Sequence, residues 1–452
     1  MKRKTGNLIL FLSKALLFFA ILVIFYILAR LFYEEAFFYY WGNYVILMFY
    51  IAILYLISRI YNGFNFGNVN LQEIVLSWTL CLIVANIFIY FILSMREESL
   101  LHVLGIVIVL FAQIVFVIPM SIIINRLYYH YNPAHKAAII YGNNAKLDEY
   151  CSLITMHRNR FRVDHIVSQN ESTGKLLDIV DRAETVFFLD VDEKKKDWLF
   201  EYCYLHNKHA YIMPTFSSIL LNTATTLWLS NTPLFSLRTP EPDLGTQLIK
   251  RLIDIIVSLV GIILTSLLMI GVLIAVRLYD NHPAIYKQVR VTKGGKHFTL
   301  YKFRSMRPDA ESDGVARLTV MSDNRITPIG RFIRKTRIDE LPQLFNVLSG
   351  SMSIVGPRPE RPEIAEQYEE IYPNFAFRTK VKAGITGFAQ IYGRYNTSPE
   401  EKLFLDIMYI ETFSILEDIK LILQTVRVLF QSSSTEGVDD GLTTALWERD
   451  EE

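Results

Sequence analysis

An acidic pair, Asp339-Glu340, lies among spaced basic residues: Lys302 and Arg304 in Tyr301-Lys302-Phe303-Arg304, Arg334, Arg358 in Gly356-Pro357-Arg358-Pro359, and Arg394 after Gly393. A carboxylate is ionised at neutral pH and can attack phosphorus to form an acyl phosphate. Arginine forks orient phosphate oxygens. Mg2+ offsets diphosphate charge and stabilises a leaving group. The set suits displacement on phosphorus in an anionic, phosphorylated substrate. Neighbouring residues of a helix point about 100° apart, so the two carboxylates cannot share one task symmetrically. One attacks while the other holds a metal or handles a proton. Taken singly, an Asp-Glu pair is most often surface charge, and each of these cations most often structural; the combination points to a site.

The elements that must position these residues are read from caps and periodicity. Thr327-Pro328 starts a helix carrying Phe332, Ile333 and Ile329 inward, with Pro at its first position. Leu341, Leu344, Phe345 and Leu348 repeat at helical spacing, which places Asp339-Glu340 at the start of a second helix, where the dipole keeps carboxylates ionised. Ser398-Pro399-Glu400-Glu401 is a capping box opening a helix to about Glu411, with Asp406 on its polar side and Leu403, Ile407 and Ile410 on its apolar face. Ile415 to Phe430 forms another amphipathic helix, bearing Asp418, Lys420 and Arg427, which lies on a membrane surface or in a core. Ser432 to Gly441 reads as a flexible tail.

The whole chain has 452 residues, 52% of them hydrophobic and 13% aromatic, with a net charge of +1. Two or three domains are expected, and the charge balance gives no argument for nucleic acid. Cys81, Cys151 and Cys203 form no CxxC or zinc pattern and are expected to be buried apolar residues. Four apolar runs, roughly Leu8 to Phe32, Ala36 to Ser58, Ile74 to Ser94 and Leu101 to Ile124, each reach the ~20 residues that span a bilayer as a helix. A cleaved leader is not expected. Basic residues at Lys2-Arg3-Lys4, Arg59 and Arg126 to Lys136 put the N-terminus and the following domain in the cytoplasm by positive-inside counting. Phe37, Tyr40 and Trp41 suit an interfacial belt.

Beyond Pro133 the pattern alternates. Strands are expected at Lys136 to Tyr141, Arg162 to Val167, Thr185 to Leu189 and Ala210 to Met213. Helices are expected at Lys146 to Met156, Leu176 to Asp181 and Asp197 to His206. This is a small parallel α/β domain. Gly142 ends the first strand, but the two further glycines of a dinucleotide fingerprint are absent, which favours a structural or regulatory domain. Lys194-Lys195-Lys196 is a solvated helix start or a contact for anionic headgroups. Thr232 to Gly245, rich in Thr, Ser and Pro, reads as a linker.

A fifth apolar run, Leu252 to Leu278, has Lys250-Arg251 before it and Lys287 to Arg304 after it. Basic residues at both ends place both in the cytoplasm. A helix that enters the inner leaflet, breaks and returns satisfies this, with Ser266 serving the freed backbone groups; an ordinary fifth span is the alternative.

From Lys250 to about Gly437 these motifs resemble those of the bacterial polyprenyl-phosphate sugar-1-phosphate transferases. The long form of that family, with four spans and a Rossmann-like middle domain, is matched in architecture. The resemblance implies transfer of hexose-1-phosphate from a UDP-sugar, glucose or galactose first, to undecaprenyl phosphate, with Mg2+ and release of UMP, at the start of capsule or exopolysaccharide assembly. It gives Asp339 the nucleophile's role, through a covalent phosphosugar intermediate, and Glu340 that of metal ligand or acid/base. It gives Lys302, Arg334, Arg358 and Arg394 basic site positions, joined by Arg304 as a phosphate-binding residue, and Asp406 and Asp418 acidic ones. The basic cluster from Gln288 to Lys296 matches the segment after the re-entrant helix. Two departures stand out: Ser266-Leu267 replaces the usual Ser-Pro, and Ala383 replaces a Pro before Gly384-Ile385-Thr386-Gly387.

The expected architecture is membrane α-helical plus α/β. It comprises a four-helix transmembrane domain (1–132), a small Rossmann-like cytoplasmic domain (133–231), a linker (232–249), a membrane-embedded α-rich phosphotransferase domain (250–430) with a re-entrant helix over 252–278, and a tail (431–452). The setting implied is the bacterial inner membrane, with the catalytic domain on the cytoplasmic face. The partners implied are UDP-sugar, undecaprenyl phosphate and membrane lipid, without nucleic acid; a homodimer is compatible. Two rivals stay open: reaction in one ternary complex, and a non-catalytic membrane scaffold or nucleotide-sensing subunit of a polysaccharide machine.

Overall fold

The computed structural model describes residues 2–34, 42–143, 147–237, 242–310, 323, 325–393 and 397–429. The expected interfacial belt at Phe37 to Trp41, Arg394 and the tail lie outside these residues. The chain divides into two compact units, Met1–Pro214 and Thr215–Glu452.

The first unit begins with four long helices, α1 (Lys2–Phe32), α2 (Gly42–Ile60), α3 (Leu71–Arg96) and α4 (Val103–Tyr131). Each is long and apolar enough to cross a membrane. Helix α4 packs on α1 and α3, and α3 on α2. The bundle interior carries a polar knot. Gln113 donates to Tyr50 Oη at 2.8 Å and to Ile21 O at 3.2 Å, and accepts from Asn86 at 2.7 Å. Inside a bilayer such groups face other helices because lipid offers no partner.

The parallel α/β fold follows: β1 (His135–Tyr141), α5 (Leu147–Met156), β2 (Phe161–Ser168), α6 (Thr173–Arg182), β3 (Thr185–Leu189), α7 (Glu193–Leu205) and β4 (His209–Ile212). The strands pair in parallel in the order β2-β1-β3-β4. Gly142 has a packing reason: a Cβ there would lie 1.9 Å from Asp190 O. Beside it Gln169 accepts from Asp192 N at 2.8 Å, and Lys195 of the lysine run donates to Gln169 O at 3.0 Å. Cys81 and Cys203 are buried, whereas Cys151 is partly exposed.

The second unit opens earlier than the sequence suggests. Helix α8 (Phe216–Asn222) buries Ile219 against Ile364, Tyr368, Phe375, Leu403 and Ile407, so 215–231 belongs with the site-bearing unit. The expected linker contains strand β6 (Thr232–Ser236), antiparallel to β5 (Thr225–Leu229). Asp243 then caps α9 (Leu244–Asp280), accepting from Thr246 N at 3.4 Å.

Helix α9 corrects a second expectation. It is continuous for 37 residues, about 55 Å at 1.5 Å per residue, with no break at Ser266. Leu267 keeps the backbone N–H that a proline would lack, and Ser266 Oγ donates within the helix to Ile263 O at 2.8 Å. A re-entrant turn needs a reversal, and α9 has none.

The remaining elements are β7 (Ile285–Val291) and β8 (His297–Phe303), an antiparallel hairpin; α10 (Pro328–Lys335); a 3-10 turn (Ile338–Glu340); and α11 (Gln343–Ser349). Then follow β9 (Ser353–Val355), α12 (Pro362–Ile371), β10 (Gly384–Thr386), α13 (Phe388–Tyr392), α14 (Pro399–Glu411) and α15 (Ile415–Leu429). Leu300, Val347, Ile354, Tyr409 and Leu421 form one core, and Val272, Val276, Phe303 and Ile333 another. The predicted caps form: Thr327 Oγ1 accepts from Gly330 N at 2.9 Å, and Ser398 and Glu401 complete a capping box. Phe332, expected inward, is 61% exposed, and Phe345 of the next apolar repeat is 46% exposed. Periodicity identifies an apolar face but not whether protein or lipid meets it.

Candidate active site

The acidic pair lies on the 3-10 turn before α11, not on the helix itself. Arg337, which precedes the turn, has φ 54°. That left-handed conformation is strained for a residue with a side chain, and it folds the chain sharply between α10 and the turn. Helix α11 is fastened by Asn346: it accepts from Tyr301 N at 3.0 Å and donates to Thr299 O at 2.7 Å. This ties the helix after the acidic pair to β8, the strand that carries Lys302.

Arg358 enters from a different direction. Strand β9 pairs in parallel with β10, Ser353 with Gly384 and Val355 with Thr386. A Cβ on Gly384 would lie 2.1 Å from Gly356 N, and one on Gly356 2.3 Å from Lys382 O. The Gly-Pro-Arg-Pro and Gly-Ile-Thr-Gly motifs therefore cross backbone to backbone, and Arg358 leaves that crossing toward the acids.

Both cations converge on one oxygen. Arg358 Nη2 donates to Glu340 Oε1 at 2.7 Å and Lys302 Nζ donates to it at 3.2 Å. Burial pushes the Glu340 carboxyl up, but Arg358, Lys302 and Arg337 outweigh it and hold the group well below the ordinary carboxylate range. Asp339 differs. Among the described residues its carboxylate accepts no hydrogen bond and forms no ion pair. Burial, then the charge of Glu340, push it up to about 6 against Lys302, Arg334 and Arg358. Adjacent carboxylates thus have separated acidities, the pattern that divides roles in a site.

Behind Arg358 lies a buried ionic shell in which Asp406 and Arg290 belong to positions that the sequence singles out, whereas Arg378 was missed. Arg378 donates to Arg358 O at 2.8 Å, forms an ion pair with Asp406 at 2.7 Å, and approaches Glu360 at 3.6 Å. Arg290 donates to Pro359 O at 3.0 Å and approaches Glu360 at 3.8 Å. Asp406, expected on the polar side of α14, is 1% exposed, and stands one residue removed from Arg358. A further local signal for this shell was Glu360, directly after Gly-Pro-Arg-Pro.

Two expected site residues lie elsewhere. Arg304, one residue past the end of β8, pairs with Asp280 at the end of α9, 2.6 Å apart. Asp418 pairs with Lys250 at 2.5 Å and accepts from Tyr409 Oη at 2.8 Å, a buried strut between α9 and α15. Arg334 acts on Asp339 through its charge.

An unengaged carboxylate beside a cation-bound partner, in a chain with helices long and apolar enough to cross a membrane, is a geometry suited to phosphoryl transfer. The family model of bacterial sugar transferases matches residues 245–432. Over 187 residues the chain is 42% identical to an uncharacterized sugar transferase, EpsL, of Bacillus subtilis, covering 41% of this chain and 89% of that protein. It is 39% identical to a UDP-N-acetylgalactosamine-undecaprenyl-phosphate N-acetylgalactosaminephosphotransferase of Aeromonas hydrophila, over 40% of this chain and 43% of that one. It is 42% identical to a UDP-glucose:undecaprenyl-phosphate glucose-1-phosphate transferase of Klebsiella pneumoniae, over 43% and 42% of the two chains. The chain belongs to the bacterial sugar transferase family. The match spans about two fifths of the length of these last two relatives.

Proposed function

We propose that the chain transfers hexose-1-phosphate, glucose or galactose first, from a UDP-sugar to undecaprenyl phosphate in the bacterial inner membrane, with its site on the cytoplasmic face. The observation that carries this reading is the contrast between an unengaged Asp339 carboxylate and a cation-bound Glu340. An oxygen of Asp339 attacks the β-phosphorus of the UDP-sugar. The bond from that phosphorus to the bridging oxygen breaks, and UMP leaves with the electron pair. Undecaprenyl phosphate then attacks the same phosphorus, the acyl phosphate bond breaks, and Asp339 returns to its carboxylate. Arg358 and Lys302 keep Glu340 charged and place positive charge beside the transferring group. Arg334 and Arg394 supply further cations for the diphosphate.

Among the described residues no three His, Cys, Asp or Glu side chains cluster as a metal cage. Mg2+ is commonly held by one or two carboxylates plus substrate phosphates. Glu340 fits that mode, because among the described residues its hydrogen bonds from Lys302 and Arg358 fall on Oε1 and Oε2 accepts none. Together with Asp339 it would hold a diphosphate-borne Mg2+, whose charge favours departure of UMP.

The test is UMP release from a panel of UDP-sugars by purified protein with Mg2+ and undecaprenyl phosphate, beside Asp339→Asn. Release with one or two sugars, lost in the variant, supports the reading and names the donor. Release surviving in the variant overturns Asp339 as the nucleophile, and release absent with every sugar overturns the transferase reading and returns the scaffold. Ping-pong kinetics separate the covalent route from a ternary complex.

A further inference from the structure

Asp254 lies in the apolar part of α9, where an acid is costly and marks a function. It is 4% exposed, while Leu252 and Ile256 beside it are 57% and 51% exposed. Its Oδ1 accepts from Ser353 Oγ at 3.0 Å and from Ile354 N at 2.9 Å. One turn earlier Lys250 donates to Val355 O at 3.1 Å. These two side chains therefore grip β9 immediately before Gly356-Pro357-Arg358. Between them in sequence, Arg251 donates to Val347 O at 2.7 Å and Leu348 O at 2.8 Å, capping the C-terminal end of α11. The other end of α11 follows the turn bearing Asp339 and Glu340.

One turn of the membrane helix thus holds both partners of the Arg358–Glu340 contact, on separate stretches of chain. We propose that Asp254 is a positioning residue that, with Arg251, sets the separation of Arg358 from Glu340, so that α9 is part of the active-site frame as well as an anchor. The inference rests on the phosphotransferase reading above. What the geometry uses at Asp254 is an acceptor, since both contacts are donated to one oxygen. An asparagine keeps an acceptor there and an alanine does not.

The experiment compares Asp254→Ala and Asp254→Asn with wild type in the full chain. Displacements near 1 Å cost catalysis up to about 100-fold. Asp254→Ala is expected to lower kcat between about 10- and 100-fold while KM for the UDP-sugar moves less than about 3-fold, because substrate contacts persist. Asp254→Asn is expected to restore kcat to within about 3-fold of wild type. Amide exchange at Ile354 is expected to quicken in the alanine variant alone. Equal losses in both variants, or a normal kcat with fast exchange, would overturn the positioning role. If wild type releases no UMP the phosphotransferase reading fails, and unchanged exchange at Ile354 would then overturn the frame as well.

Discussion

Arg358 and Lys302 bind the same oxygen of Glu340, at 2.7 and 3.2 Å, and neither binds Asp339. Burial, and then the negative charge that these cations fix on Glu340, raise Asp339 to about 6. In the proposed mechanism its ionised form attacks, so UMP release is expected to fall as pH drops through about 6. Glu340→Gln removes the charge that raises Asp339 and leaves Lys302 and Arg358 to act on it unopposed. The acidic limb of the kcat profile is therefore expected to move to lower pH. A limb that stays in place would show that another group titrates.

Arg378 is 6% exposed and serves Asp406, Glu360 and the carbonyl of Arg358. Arg378→Met keeps volume but leaves buried Asp406 without its ion-pair partner and Glu360 with Arg290 as its remaining ion pair. Removing one partner of a buried pair costs about 3–5 kcal/mol. Thermal unfolding in detergent should show a loss of this order, and Asp406→Asn added to Arg378→Met should recover part of it. A variant as stable as wild type would mean that Arg290 and Lys402, whose charge also acts on Glu360 and Asp406, already suffice.

Gly384→Ala places a Cβ 2.1 Å from Gly356 N and 2.6 Å from Gly356 Cα. Both are backbone atoms, so relief requires the β9–β10 crossing to open. Overpacking costs typically about 1–3 kcal/mol, and the same opening displaces Arg358. The expected result is lower thermal stability together with a fall in kcat. Gly271→Ala, which meets nothing within 4 Å, is the control and should leave both unchanged.

The residues themselves determined the four spans, the parallel α/β domain with its strands nearly in place, the caps at Thr327 and Ser398, and the acidic pair with Lys302 and Arg358. These follow from local chemistry: run length, period, capping side chains and residue type. Tertiary structure decided what local chemistry leaves open. Arg304 and Asp418 carry the right charge for the site, but each is held by a partner far away in sequence, Asp280 and Lys250. Asp406, which looked exposed on its helix, is buried because Arg378 meets it there. Phe332 and Phe345 follow the helical period yet face outward, since lipid and core are equally apolar. Ser266 suggested a break, but only the intact hydrogen bonding of α9 shows that none forms. The division of labour within Asp339-Glu340 is likewise tertiary, because it depends on which oxygen Lys302 and Arg358 reach across the fold.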